Sequence, residues 1–204
     1  MIRDNALAAS GLLVQKVGGE SVKPYQPEGL WIEKGNFSYR LLRYKVTKGD
    51  SLYRRSLYTF VKRTSPHPSM TAFDAPNRDI CVVKRENTNT PLQALVLLND
   101  PQFVEAARVL AERIQLEKEG DLDEQISYAY QLSTGRKAKA EEVGLLKELY
   151  EKQLDRFQNE PARAKELLAY GEYQGNAKLE IPKTAALAVV SSTILNHDEA
   201  YMKR

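Results

Sequence analysis

The sequence predicts a mainly α fold: a multi-helix domain with a long ordered polar loop and an irregular N-terminal region with room for short strands. Two observations predict it. Apolar residues recur at helical spacing from residue 92 to residue 196, with start and stop residues between the stripes. By contrast, residues 18–49 hold seven glycines and prolines (Gly18, Gly19, Pro24, Pro27, Gly29, Gly35 and Gly49), spaced to interrupt any long helix.

The elements follow in chain order. Within 1–17, Leu7, Leu12 and Leu13 among Ala6, Ala8 and Ala9 form an amphipathic helix starting near Arg3, Asp4 and Asn5. No cap precedes it, so the natural chain is expected to continue upstream. Residues 41–47 allow a strand. Tyr53, Leu57, Phe60, Val61 and Thr64 are spaced as one helix face, so a helix is predicted over 51–64 against a β-rich composition. Residues 65–89 carry three prolines and no period; a loop of that length inside a domain is usually functional or disordered. Within it, Ile80-Cys81-Val82-Val83 reads as a buried strand with a structural cysteine.

Thr90-Pro91-Leu92-Gln93 is a capping box with proline at the first helical position. Asp100-Pro101 repeats that start, and Phe103, Ala107, Leu110, Ala111 and Ile114 form the stripe behind it, ended by Gly120. Leu122, Ile126, Ala129 and Tyr130 mark the next helix, stopped near Gly135. Val143, Leu146, Leu149, Tyr150, Leu154 and Phe157 mark a long one, and Pro161 opens another that ends near Gly171. Residues 171–175 read as a flexible connection. Residues 184–196, apolar or small almost all round, predict a helix buried on every side.

Composition bounds function by exclusion. A chain of 204 residues can bury about 70% of its unfolded surface. A single cysteine excludes an intrachain disulfide framework, a four-cysteine zinc site and a Cys-x-x-Cys-His haem attachment. No apolar run reaches the ~18 residues of a membrane span, and the first residues lack the basic leader and cleavage site of a signal peptide. Net charge is only +3, yet residues 34–63 hold nine Lys and Arg against one Asp, interleaved with Phe37, Tyr39, Tyr44, Tyr53, Tyr58 and Phe60. Such a strip suits a polyanion, by counterion release and stacking. The favoured reading is a solvated or internally paired face, with Tyr53 and Phe60 in the core and Tyr44 and Tyr58 exposed.

The polar loop concentrates reactive side chains, but no arrangement matches a known constellation. A Cys81–His67 nucleophilic pair needs hydrogen-bond reach and a third orienting group, and nothing in the sequence shows contact. His67, Asp74 and Asp79 are candidates for acid/base or metal-ligand roles, without a recognised ligand spacing. His197-Asp198-Glu199 reads as a solvated helix end. Arg54, Arg55, Arg78 and Arg85 are the candidate ligand set for an anion. The favoured reading makes the middle of the chain a structural brace. Arg78, Asp79, Arg85 and Glu86 would form a buried or half-buried ion-pair network, with Asn87, Asn89 and Asn99 bonding neighbouring backbone.

A long motif then carries a resemblance. Tyr53-Arg54-Arg55-Ser56-Leu57-Tyr58-Thr59-Phe60, Phe73-Asp74-Ala75-Pro76 and the run from Arg85-Glu86-Asn87-Thr88-Asn89-Thr90-Pro91 to Leu98-Asn99-Asp100-Pro101 resemble the planctomycete-cytochrome-associated C-terminal domain family, a domain of unknown function. Ser21–Trp31, Leu132-Ser133-Thr134-Gly135-Arg136 and Leu195-Asn196 agree with it. Lys137-Ala138-Lys139-Ala140 departs from it, where a proline and a helix cap are expected. The resemblance implies one C-terminal domain, 1–204, of a large exported multidomain protein. Residues 1–50 would be its irregular part with one helix, and 51–204 its helical core carrying the loop 65–89. Other domains of the same polypeptide are the expected partners, with an acidic glycan or another protein besides, and the expected location is periplasmic or cell-surface. Nucleic acid is disfavoured. No cofactor is expected in this chain; any c-type haem would belong to upstream sequence. The expected function is a non-catalytic structural or interaction module. The alternatives are an enzyme domain acting on acidic or sulfated carbohydrate, and a polyanion-binding module.

Overall fold

The computed structural model describes residues 1–33, 44–76 and 78–202. Their fold is mainly α, with two isolated bridges (Val14 to Arg54, Val22 to Thr59) and no sheet among the described residues. The helices are α1 (Ile2–Ser10), α2 (Leu30–Glu33), α3 (Pro68–Ala72), α4 (Pro91–Asn99), α5 (Pro101–Glu117), α6 (Leu122–Thr134), α7 (Ala140–Asn159), α8 (Pro161–Leu168), α9 (Ile181–Leu195) and α10 (Asp198–Tyr201). They belong to two compact units, one of residues 1–13 with 97–204, the other of residues 14–96.

The first unit is a helical bundle around α9, which packs chiefly on α5 and α7 and also on α8. Ala185, Ala186, Leu187, Ala188, Val190 and Ile194 of α9 are buried, as are Ala106, Leu110, Ala111 and Ile114 of α5. The alanines let the two axes approach, while each fully buried Leu or Ile contributes about 1.5–3 kcal/mol over its exposed state. The helix limits obey local chemistry. The Asp100 side chain accepts from Gln102 N ahead of Pro101, Asp121 accepts from Asp123 N, and Gly135 ends α6 at φ +85°. α7 starts without proline, and Glu142 supplies the cap by accepting from Lys139 N at 2.6 Å. Gly120 stands beyond the end of α5 at Glu117, in a turn at φ +101°.

The second unit has little regular structure. The helix predicted over 51–64 is replaced by two short 3-10 turns, Gly49–Tyr53 and Ser56–Tyr58, within extended chain. The reason lies in its partners. Tyr53 O accepts from Val14 N at 3.1 Å, Tyr58 O from Val22 N at 2.8 Å, and Phe60 N donates to Val22 O at 2.8 Å. The β-branched and aromatic composition suits this extended pairing and prevails over the helical spacing. Arg54, 4% exposed, staples the segment by donating to the carbonyls of Lys16, Gly18 and Glu20, with its guanidinium 3.8 Å from the Tyr58 ring centroid.

Other expectations change as well. In the strand expected at 41–47, residues 41–43 lie outside the described residues, and 44–47 are not a strand. Residues 34–43 of the basic strip also lie outside them. The loop 65–89 contains α3. Ile80–Val83 is not a buried strand: Ile80, Val82 and Val83 are at least half exposed and Cys81 is exposed.

Candidate functional site

Each sequence-derived candidate has a definite environment. His67 is buried, with Nε2 2.7 Å from Tyr25 O and Nδ1 2.9 Å from Ser69 Oγ. Both ring nitrogens are therefore occupied, and neither is open to a substrate proton or a metal. Asp74, at φ +57°, accepts from Thr88 N at 2.8 Å and from Thr88 Oγ1 at 3.0 Å. Arg85 donates to the carbonyls of Phe73 and Asp74, both at 3.1 Å. Gln93 joins them, donating to Ala72 O at 2.9 Å and Thr88 Oγ1 at 3.1 Å, while its Oε1 accepts from Thr90 N at 3.4 Å. A brace thus exists, but Asp74, Thr88, Arg85 and Gln93 build it.

The expected network is not buried. Arg78, Asp79, Arg85 and Glu86 are exposed, as are Asn87, Asn89 and Asn99. The loop is too polar, and too rich in residues that bond their own backbone, to replace water along its length. Of the anion set, Arg54 is buried on carbonyls, Arg85 is held on carbonyls, and Arg55 and Arg78 are exposed. Tyr53 is buried, and Phe60, Tyr44 and Tyr58 are half-buried. Trp31, 2% exposed, meets Tyr44 edge-on at 4.9 Å and has the ammonium groups of Lys23 and Lys62 5.1 and 4.9 Å from its ring centroid. Among the described residues, no three His, Cys, Asp or Glu side chains come together as a metal-binding group.

Sequence reasoning missed the most deeply buried polar cluster. Residues 171–175, expected to be a flexible connection, are clamped by three charged side chains of α5. Glu105 (1% exposed) accepts from Glu172 N at 2.7 Å and Tyr173 N at 2.8 Å. Arg108 (0%) donates to Tyr170 O at 3.2 Å, Tyr173 O at 2.7 Å and Glu112 at 2.6 Å. Glu112 in turn accepts from Asn176 N at 3.0 Å. The available signal is charge on the wrong face: Glu105, Arg108 and Glu112 interleave with the apolar stripe of α5, whereas an amphipathic helix ordinarily keeps its charges on the opposite, solvated face.

Beside this clamp a cleft of about 530 Å³ opens, bounded by the end of α1, by α5 and by the loop. A second polar knot lies at the foot of α7. Arg136 binds Glu142 at 2.6 Å and Glu199 at 2.7 Å, and donates to Tyr130 Oη at 2.8 Å. Hydrogen bonding by Arg136, then by Lys139 N, holds the Glu142 carboxyl down at about 2, while burial and the Glu142 charge push the Tyr130 phenol up to about 12. His197 caps α10 by accepting from Glu199 N.

The model of the family described as PSD1, protein of unknown function (DUF1553), matches residues 1–150. No curated protein and no solved structure matches the chain.

Proposed function

We propose, for a chain that belongs to the PSD1 family of proteins of unknown function, that it serves as a non-catalytic interaction module of an exported multidomain protein. One observation carries this reading. Residues 78–92 are exposed without a break, and they include Ile80, Val82, Val83 and Leu92 at 70%, 54%, 108% and 58% exposure. Single exposed apolar residues are ordinary; four within thirteen positions of one exposed segment support an interaction surface. The unit that carries them, residues 14–96, has 14 Lys and Arg against 7 Asp and Glu, so the partner that fits is an acidic protein surface with apolar anchors. The resemblance implies further domains on the same polypeptide, and an adjoining domain is the occupant we infer. The groups expected to act in an enzyme favour the same reading, since both His67 nitrogens and the Asp74 carboxylate are engaged internally.

Cys81, exposed between Ile80 and Val82, reports on the surface. A maleimide should modify it readily in this chain alone and at least tenfold more slowly in the native polypeptide with its adjoining domains. Equal rates in both overturn the proposal.

The same charge count favours a second reading, polyanion binding through exposed cations such as Lys45, Lys48, Arg55 and Arg63. It requires retention on heparin that falls steeply with salt; elution at the lowest salt overturns it.

A further inference from the structure

We propose that the cleft beside the 170–176 loop binds an uncharged polyhydroxylated ligand, a neutral saccharide, through Tyr173, Gln174 and Asn176. At about 530 Å³ it falls within the roughly 300–1,000 Å³ of small-molecule sites. Its charges cancel locally. Glu112 is paired with Arg108 at 2.6 Å and Glu117 with Arg113 at 2.8 Å, and Arg113 also donates to Ala9 O at 2.9 Å. A charged ligand finds no uncompensated partner in these pairs. What the cleft does offer is amide and phenol groups. Among the described residues, the Tyr173 hydroxyl and the Gln174 amide make no hydrogen bond. The Asn176 Oδ1 accepts from Lys178 N at 3.0 Å, which leaves its amide donors unused. Tyr173 is 45% exposed, with the Arg108 guanidinium 5.8 Å from its ring centroid. An aromatic face beside unused amide donors and acceptors complements the alternating C–H faces and hydroxyl edges of a sugar ring.

The clamp gives this wall its second property, rigidity. Three buried charged residues hold the loop through its backbone. An apolar packing of the same volume would serve stability as well or better, so the charged clamp is read as a positioning device. A wall fixed before binding loses little entropy when the ligand arrives. Removing the Tyr173 side chain leaves the clamp hydrogen bonds in place, because they run through Tyr173 N and O, and gives up only the contact of its ring with the Arg108 guanidinium. The site draws on none of the residues of the interaction surface, so the two proposals fail independently.

The test is ¹H–¹⁵N NMR of the full chain titrated separately with cellotetraose, xylotetraose and mannotetraose, reading the side-chain amides of Gln174 and Asn176. We expect a saturable shift of these resonances with at least one of the three. Tyr173→Ala should weaken that binding about tenfold while the chain stays folded, with a small drop in melting temperature from the lost Arg108 contact. Gln174→Ala is the second variant, and serves if Tyr173→Ala fails to fold. The proposal is overturned if none of the three sugars shifts those amides, or if the shift survives both substitutions undiminished.

Discussion

Arg108 is a guanidinium with no exposed surface, and its whole environment is hydrogen-bonded: two carbonyls of the 170s loop and Glu112. Its replacement by a shape-matched apolar residue strands Glu112 as a buried, unbalanced charge. Arg108→Met should therefore cost about 3–5 kcal/mol in urea unfolding, and adding Glu112→Leu should recover part of that loss. A single-variant loss below the roughly 1 kcal/mol of an exposed ion pair would show that the clamp does not hold. Gly171 tests the same clamp from the loop side. At φ +92°, a Cβ there would lie 2.2 Å from Glu105 Cδ, so Gly171→Ala combines backbone strain with displacement of a buried carboxylate. At Gly175 the nearest atom is Glu112 Oε1 at 3.1 Å, which a small shift relieves. Alanine at 171 should lower the unfolding midpoint markedly more than alanine at 175; equal effects would contradict the geometry. The two glycines were visible in the sequence as breaks in a helical pattern. The carboxylate that demands glycine at 171, Glu105, lies some sixty positions earlier, and nothing local connects the two.

At the scale of the element, starts and stops were the legible part. Asp100-Pro101, Pro161 and Gly135 act where the sequence suggests, because caps and left-handed turns depend on a few adjacent atoms. The 51–64 segment was misread because its partners, residues 14–22, are distant in sequence and reward extended chain over the helical spacing. The cap of α5 carries a pH signature. Burial raises the Asp100 carboxyl above its ordinary 3.8, outweighing the lowering by its hydrogen bonds from Gln102. A carboxyl raised in the folded state contributes stability fully below its unfolded value, and loses it as pH rises through the folded value. Asparagine offers the same accepting oxygen without the charge. Asp100→Asn should therefore match or exceed the parent in stability at neutral pH, with its advantage shrinking as pH falls through the raised folded value towards 3.8 and constant below it. If the cap needs the negative charge, the variant will instead lose about 1 kcal/mol at neutral pH.

On the scale of the whole chain, the helical bundle was readable because its core is written in periodic stripes, and α9 in particular is buried nearly all round, as its composition requires. The candidate site was far less readable. Hydrogen bonds from Arg54, Arg85, Arg108 and Arg136 to distant carbonyls and carboxylates depend on tertiary approach, which periodicity does not encode. Arg136 shows what such bonds do, since it joins the start of α7 to Glu199 of the C-terminal helix α10, while Asn5 of α1 donates to Ala200 O. Glu142, lowered from 4.5 to about 2, contributes stability that is complete above 4.5 and lost as pH falls through 2. Tyr130, raised from 10.0 to about 12, contributes stability that is complete below 10.0 and lost as pH rises through 12. The knot is therefore weakened at both pH extremes through different residues. Its protonation in acid removes the Arg136 partner and the cap on Lys139 N together. In hydrogen exchange at falling pH, the amides of α10 and the first turn of α7 should lose protection before those of α5 and α9. Glu142→Gln should show that early loss already at neutral pH, with no further change between pH 4.5 and 2 attributable to this group. Tyr130→Phe should flatten the alkaline limb and, by removing the hydroxyl that also donates to Glu142, reduce the acid limb only in part. Simultaneous loss of protection across α5, α9 and α10 would show that the knot does not control the C-terminal helix.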